Sequence, residues 1–151
     1  YNSTMTESIS PSSSVAPGAA GTVAALDAAR FAATIPGHAF AIVDFWAPWC
    51  APCRSFAPVF EAAAARHPDI LFAKVDTEAE PAVAGSFGIR SIPTLMVFRE
   101  NVIVFAQAGA LPASALEQVV ATARALDMDE VRREIEREAA GGTPAGTAPG
   151  E

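Results

Sequence analysis

The sequence predicts an α/β protein, a central mixed β-sheet of four to five strands flanked by helices on both faces, with a helical extension at its C-terminus. Three observations carry this expectation. Residues 40–46 (FAIVDFW), 70–76 (ILFAKVD) and 94–98 (TLMVF) are nearly continuous apolar runs, as in strands covered on both faces. Stretches with apolar residues at helical spacing alternate with them, which is the pattern of helices packed on a sheet. Breakers, among them Pro36-Gly37, Pro68, Gly88 and Gly109, fall between the elements.

Taken in order, residues 22–26 form a short apolar stretch suited to an edge strand. Asp27 is placed to N-cap a helix to about residue 34, with Phe31 and Ile35 on one face. After the strand 40–46 a helix is expected over residues 52–66, with Phe56, Val59 and Phe60 inward; Pro58 lies inside it and should kink it, and Pro68 ends it. A second buried strand (70–76) precedes a short helix over 78–88. Strands 94–98 and 102–107 are joined by a hairpin loop at 99–101. Residues 112–126 make an amphipathic helix carrying Leu116, Val119, Val120 and Ala123. The segment DMDEVRREIERE then opens with a capping-box-like Asp127 and Glu130, carries opposite charges three and four residues apart, and has a narrow apolar stripe of Met128, Val131 and Ile135. The expected organisation is a disordered tail at 1–21, one domain at 22–126, a helical extension at 127–140 and a disordered tail at 141–151. The extension either packs back on the domain or lies solvated, with a partner helix as the sharper alternative.

Composition narrows the function. The chain has 151 residues, 51% hydrophobic but rich in alanine, and a net charge of −7. That is enough chain for one folded domain. With no block of Lys or Arg, it lacks the basic footprint a nucleic-acid partner requires. No apolar run reaches the roughly 18–20 residues of a membrane-spanning helix. The N-terminus lacks the basic start and the apolar core of about 7–15 residues that mark a secretory signal. The expected location is therefore cytoplasmic.

The only two cysteines lie three positions apart in WAPWCAPCRSFAP, residues 46–58. A structural zinc site needs four ligands; the histidines, His38 and His67, fall at a loop and a helix end, and nothing positive supports a metal. A disulfide closing so short a loop stabilises little and is rare as a structural staple in a cytosolic chain. The redox reading fares better. Residues at i and i+3 of a helix have Cβ atoms about 5–6 Å apart, within modest adjustment of disulfide geometry. A strand-to-helix junction puts Cys50 at a helix N-terminus, where unpaired N–H groups and the macrodipole favour a thiolate. Cys53, one turn in, is expected to be more buried and to stay protonated. Cys-x-x-Cys near a βαβ pattern reads as redox-active.

At this point the sequence resembles the thioredoxin family. VDFWAPWCAPC matches its strand and active-site signature, SFAPVFE its helix, FAKVD the next strand, FGIRSIPTLMVF the cis-proline segment and AGALPASALE the closing glycine and last helix. The likeness covers about residues 23–126. It implies the thioredoxin fold and a thiol–disulfide oxidoreductase, in which Cys50 attacks a substrate disulfide and Cys53 resolves the mixed disulfide. Pro93 falls at the family's cis-proline, where a missing N–H leaves room for a substrate backbone to pair with Ile92. Asp44, buried in its strand, would accept the Cys53 proton with Lys74 nearby; its alternative is a structural pair with Lys74. Trp49, Ala51, Pro52, Ile92, Pro93 and Gly109 would form a flat substrate-binding rim, and Trp46 would pack beneath the loop.

The resemblance further implies a monomer with no bound cofactor or metal, acting on disulfide-containing proteins. Its Cys50–Cys53 disulfide would be reduced in trans by an NADPH-dependent flavoprotein, thioredoxin reductase. Rival readings are a pathway-specific oxidase or isomerase and a non-catalytic binding or chaperone subunit. The chain departs from the family pattern at Ala51, where glycine is usual, at Glu100-Asn101 in place of Asn-Gly, and in its longer C-terminal extension.

Overall fold

The computed structural model describes residues 20–141. Apart from Ala20, Gly21 and Gly141, the segments expected to be disordered tails lie outside the described residues. The elements follow the predicted order: β1 (Val23–Ala25), α1 (Ala28–Thr34), β2 (Phe40–Trp46), α2 (Ala51–Arg66), β3 (Leu71–Asp76), α3 (Pro81–Ser86), β4 (Thr94–Arg99), β5 (Val102–Ala108), α4 (Ala113–Ala125) and α5 (Met128–Gly141). The five strands form one mixed sheet in the order β1-β3-β2-β4-β5. β1, β3 and β2 are parallel, and β4 and β5 run antiparallel to their neighbours.

Alternation along β2 explains the two-sided core. Ala41, Val43 and Phe45 face α1 and α3, packing with Phe31, Ile35, Val83 and Phe98. Phe40 and Ile42 face the opposite way, toward Phe56 and Phe60 of α2 and Leu116 and Val120 of α4. A strand buried on both sides has no polar face, which is why the sequence there is a run rather than an alternation. Asp44 occupies the second face, the one α2 covers.

The local signals account for most element ends. Asp27 caps α1, its Oδ1 accepting from the Arg30 N–H at 2.8 Å. α2 runs uninterrupted through Pro58 and begins one residue before the expected start, because Cys50 serves as its N-cap. α3 is shorter than the expected 78–88. Asp76 Oδ1 takes the N–H groups of Glu78 and Ala79, and the Thr77 N–H bonds Trp46 O, so these residues form a turn and the helix waits for Pro81. In the β4–β5 hairpin Glu100 and Asn101 both have positive φ (53° and 67°), as a two-residue turn matched to strand twist requires. β5 carries a bulge: Val97 pairs with Phe105 and Phe98 with Ile103, leaving Val104 extra.

The extension does pack back, but only at its start. Asp127 accepts from the N–H groups of Asp129 and Glu130 at 3.0 and 3.3 Å, Met128 is 5% exposed, and Arg132 pairs with Glu100 in the hairpin turn. One turn further on, Ile135 is 44% exposed. Met128→Ala should therefore cost about 2–4 kcal/mol in urea denaturation, whereas Ile135→Ala should stay within about 0.5 kcal/mol of the parent. Equal effects of the two would show that α5 is docked along its length or not at all.

Candidate active site

The cysteines and the rim are placed by the ends of elements, whereas Asp44 and Lys74 lie within β2 and β3. β2 ends at Trp46, whose carbonyl accepts from the Thr77 N–H (2.8 Å) and hydroxyl (3.1 Å). Ala47 is fully buried, and the Cys50 N–H returns to its carbonyl at 3.2 Å, turning the chain sharply into α2. Cys50 sits at the N-cap in an extended conformation (φ −88°, ψ 112°), and its Sγ accepts from the Cys53 N–H at 3.2 Å. Pro52, in the first turn, lacks an N–H that the helix would not have used. The Arg54 N–H takes the Cys50 carbonyl at 3.1 Å.

Cys50 and Cys53 are joined as a disulfide with Cα atoms 5.2 Å apart, inside the ordinary range. The expected contrast in burial is slight in this oxidised state, 4% exposure against 2%. What distinguishes the sulfurs is their surroundings. Cys50 Sγ receives a helix N–H and lies 3.8 Å from the Ile92 carbonyl. Cys53 belongs to the inward stripe of α2 with Phe56 and Phe60.

The rim opposite comes from the loop before β4 and the end of β5. The Ile92–Pro93 bond is cis. The Thr94 hydroxyl bonds Ser91 O across this turn, and the Gly109 N–H donates to Pro93 O at 2.8 Å. Gly109 has φ 105°, a conformation L side chains rarely adopt. Around the cysteines, Trp49 is 63% exposed, Ala51, Pro52 and Gly109 are exposed, Ile92 is half-buried and Pro93 is buried. Trp46 is half-buried and packs against the cysteine cluster.

Asp44 is 4% exposed and its Oδ1 has no hydrogen-bond partner. Burial pushes its pKa up to about 7, partly opposed by the positive charge of Lys74. Lys74 is its register partner on β3, and its ammonium lies 4.8 Å from the centroid of the Trp46 ring. The structural Asp44–Lys74 pair weighed from the sequence does not satisfy this oxygen. Because residues 42, 44 and 46 alternate with the other face, Asp44 lies beneath the helix that carries Cys53.

One residue of the site escaped the sequence reading. Arg54 donates from its guanidinium to Pro48 O at 2.9 Å, bracing the loop that precedes Cys50. A basic side chain directly after the second cysteine was the available signal. Among the described residues no cluster of three or more His, Cys, Asp or Glu is arranged to hold a metal, and no helix is long and apolar enough to cross a membrane.

A strand leading into a cysteine-capped helix, opposite a cis-proline, matches what comparison with known proteins returns. The family profile described as Thioredoxin matches residues 22–122. The chain belongs to the thioredoxin family. A relative named "Putative thioredoxin 2" from Streptomyces coelicolor is 57% identical over 106 residues, covering 70% of this chain and 79% of the relative. Thioredoxin 1 of Synechococcus elongatus is 49% identical over 76 residues, covering 50% of this chain and 71% of its own. Among solved structures, thioredoxin f from spinach chloroplast (short form) superposes with a TM-score of 0.66 at 28% identity, covering 71% of this chain and 97% of that one. A mutant thioredoxin from Halobacterium salinarum gives 0.67 at 25% identity, covering 75% and 98%. Family and cysteine pair together make the chain a thiol–disulfide oxidoreductase of the thioredoxin fold.

The buried acid sets a stability prediction. The folded-state pKa of Asp44, about 7, lies above the roughly 3.9 of an unfolded aspartate, so the folded chain holds a proton that the unfolded chain releases. Its penalty is absent below about pH 4, grows between pH 4 and 7, and is complete above that. Asp44→Asn should accordingly be more stable than the parent by on the order of 2–4 kcal/mol at pH 8. Chemical denaturation of the oxidised proteins should show the difference shrinking as pH falls to 4; a pH-independent difference would contradict it.

Proposed function

We propose that the protein is a general protein-disulfide reductase working by dithiol–disulfide exchange. The observation that supports this best is the Cys53 N–H directed at Cys50 Sγ at 3.2 Å, at a helix N-terminus and beside the Ile92-Pro93 rim. A sulfur in that position is stabilised as a thiolate in the reduced protein.

In the reduced protein the Cys50 thiolate attacks one sulfur of a substrate disulfide. That S–S bond breaks, a Cys50–substrate disulfide forms, and the departing substrate thiolate takes a proton. Cys53 then loses its proton to the Asp44 carboxylate and attacks Cys50 Sγ, expelling the second substrate sulfur as a thiolate, which takes up the proton that Asp44 releases. The net change is one substrate disulfide converted to two thiols: the two electrons come from the Cys50 and Cys53 sulfurs, one proton from Cys53 by way of Asp44, and the other from solvent, because Cys50 reacts as a thiolate. An acid whose pKa lies near the working pH suits this exchange of a proton. Lys74 moderates the cost of charging Asp44. Trp49, Ala51, Pro52, Ile92, Pro93 and Gly109 present the shallow apolar surface on which an extended substrate segment lies, with the Ile92 backbone open to it.

The oxidised pair is then returned to the dithiol by an NADPH-dependent flavoprotein, thioredoxin reductase, so the chain holds no cofactor of its own. A reductant must be kept reduced, and the cytoplasm is the compartment that does so. A reductase-coupled insulin reduction assay tests the reading. The parent should consume NADPH in proportion to insulin cleaved, Cys50→Ser should show nothing above background, and Cys53→Ser should accumulate a mixed disulfide on Cys50. A Cys50→Ser variant that still reduces insulin would overturn it.

A further inference from the structure

Lys74 sits beside Asp44 in the strand register, yet its ammonium is not drawn into a direct ion pair with the unpartnered Asp44 oxygen. It lies over the face of Trp46, 4.8 Å from the ring centroid. Tryptophan is the strongest aromatic partner for a cation, and the attraction grows as water is excluded. The Trp46 backbone is held by Thr77, whose N–H and hydroxyl both donate to its carbonyl, and the side chain packs against the cysteine cluster.

Lys74 and Trp46 also share the wall of a surface cavity of about 330 Å³ whose remaining lining includes Asp27, Arg30, Asp76 and Glu80. Three carboxylates therefore share this solvated wall with one half-buried lysine, each accepting a backbone N–H: Asp27 from Arg30, Asp76 from Glu78 and Ala79, and Glu80 from Ala28. The charged and titratable groups around the pair are few. Lys74 comes from β3, Cys53 from α2, and the β4 neighbour of Asp44 is the uncharged Leu95. Asp27 and Arg30 stand at the start of α1, Asp76 ends β3, and Glu80 precedes α3.

We propose that Trp46 is a positioning residue whose ring holds the Lys74 ammonium in the field of Asp44, against the pull of the Asp27, Asp76 and Glu80 carboxylates. Without the ring, Lys74 turns outward to that rim, and the Asp44 carboxylate loses the one cation that offsets its burial. Trp46 thus acts on the proton-accepting group through Lys74, in addition to packing against the cysteine loop. Its consequence for turnover rests on the role of Asp44 proposed above, but the placement of Lys74 can be read without turnover.

The test follows the Asp44 carboxyl by carbon NMR across pH in the oxidised protein, and the Lys74 side-chain protons by their ring-current shift. In the parent, the Lys74 methylene protons next to nitrogen should be shifted upfield. Trp46→Leu should abolish that shift and raise the Asp44 titration midpoint by roughly half a pH unit; Trp46→Phe should keep most of both. In a Lys74→Gln background, Trp46→Leu should move the Asp44 midpoint no further. An equal rise in both backgrounds, an unchanged or lowered midpoint, or no ring-current shift in the parent would each overturn the proposal. The parent proton shift and the Phe variant decide the matter if the Leu variant does not fold. Should Asp44 titrate as expected while Asp44→Asn turns over insulin at the parental rate, the placement stands and the role of Asp44 as proton acceptor falls.

Discussion

The site depends on the use of a cysteine as a helix cap. An α-helix leaves its first N–H groups without partners, and the usual remedy is a Ser, Thr, Asp or Asn oxygen. Here the acceptor is Cys50 Sγ, facing the Cys53 N–H at 3.2 Å. The same contact that begins α2 therefore supplies the electrostatic reason for Cys50 to exist as a thiolate. The surrounding structure fixes its position. β2 is buried on both faces and delivers the chain to Ala47, the Cys50 N–H anchors there, Arg54 ties Pro48, and the Gly109 N–H holds the Pro93 turn across from the sulfur.

Beneath that cap lies a cost. A carboxylate in the centre of a strand gives up hydration without gaining a hydrogen bond to its Oδ1, and such a group is expensive unless neutralised or paired. The fold tolerates it because the strand is otherwise wholly apolar and flanked by two cores, with Phe31, Phe45, Phe87 and Phe98 clustered on one face and Phe56, Phe60 and Phe72 on the other. Local consistency failing at one residue is a common mark of a functional position. Lys74 and the Trp46 ring temper the cost without removing it, which leaves Asp44 near the midpoint of its titration at neutral pH.

Much of this was legible in the amino-acid order, for identifiable reasons. The runs FAIVDFW and TLMVF are apolar without alternation because both faces are covered, and Asp27 and Gly88 act through Arg30 and Gly85, three residues away. Cys50 and Cys53 could be paired because i and i+3 meet on a helix. What escaped depends on contacts between distant segments. α3 lost its first turn to an Asp76 side chain, and Arg54 acts on a carbonyl six residues back. Nothing in the order of residues says that Lys74 lies over Trp46 rather than against Asp44. The difference in burial expected between the two cysteines is small because the oxidised pair shares one apolar cluster.

The most direct test of the cap is a thiolate titration of the reduced protein, read by ultraviolet absorbance with single Cys→Ser variants to assign each sulfur. Cys50 should ionise below the roughly 8.5 of a free thiol and Cys53 above it. If Cys50 ionises at or above that value, or Cys53 loses its proton first, the helix terminus does not activate the sulfur and the account fails at its centre.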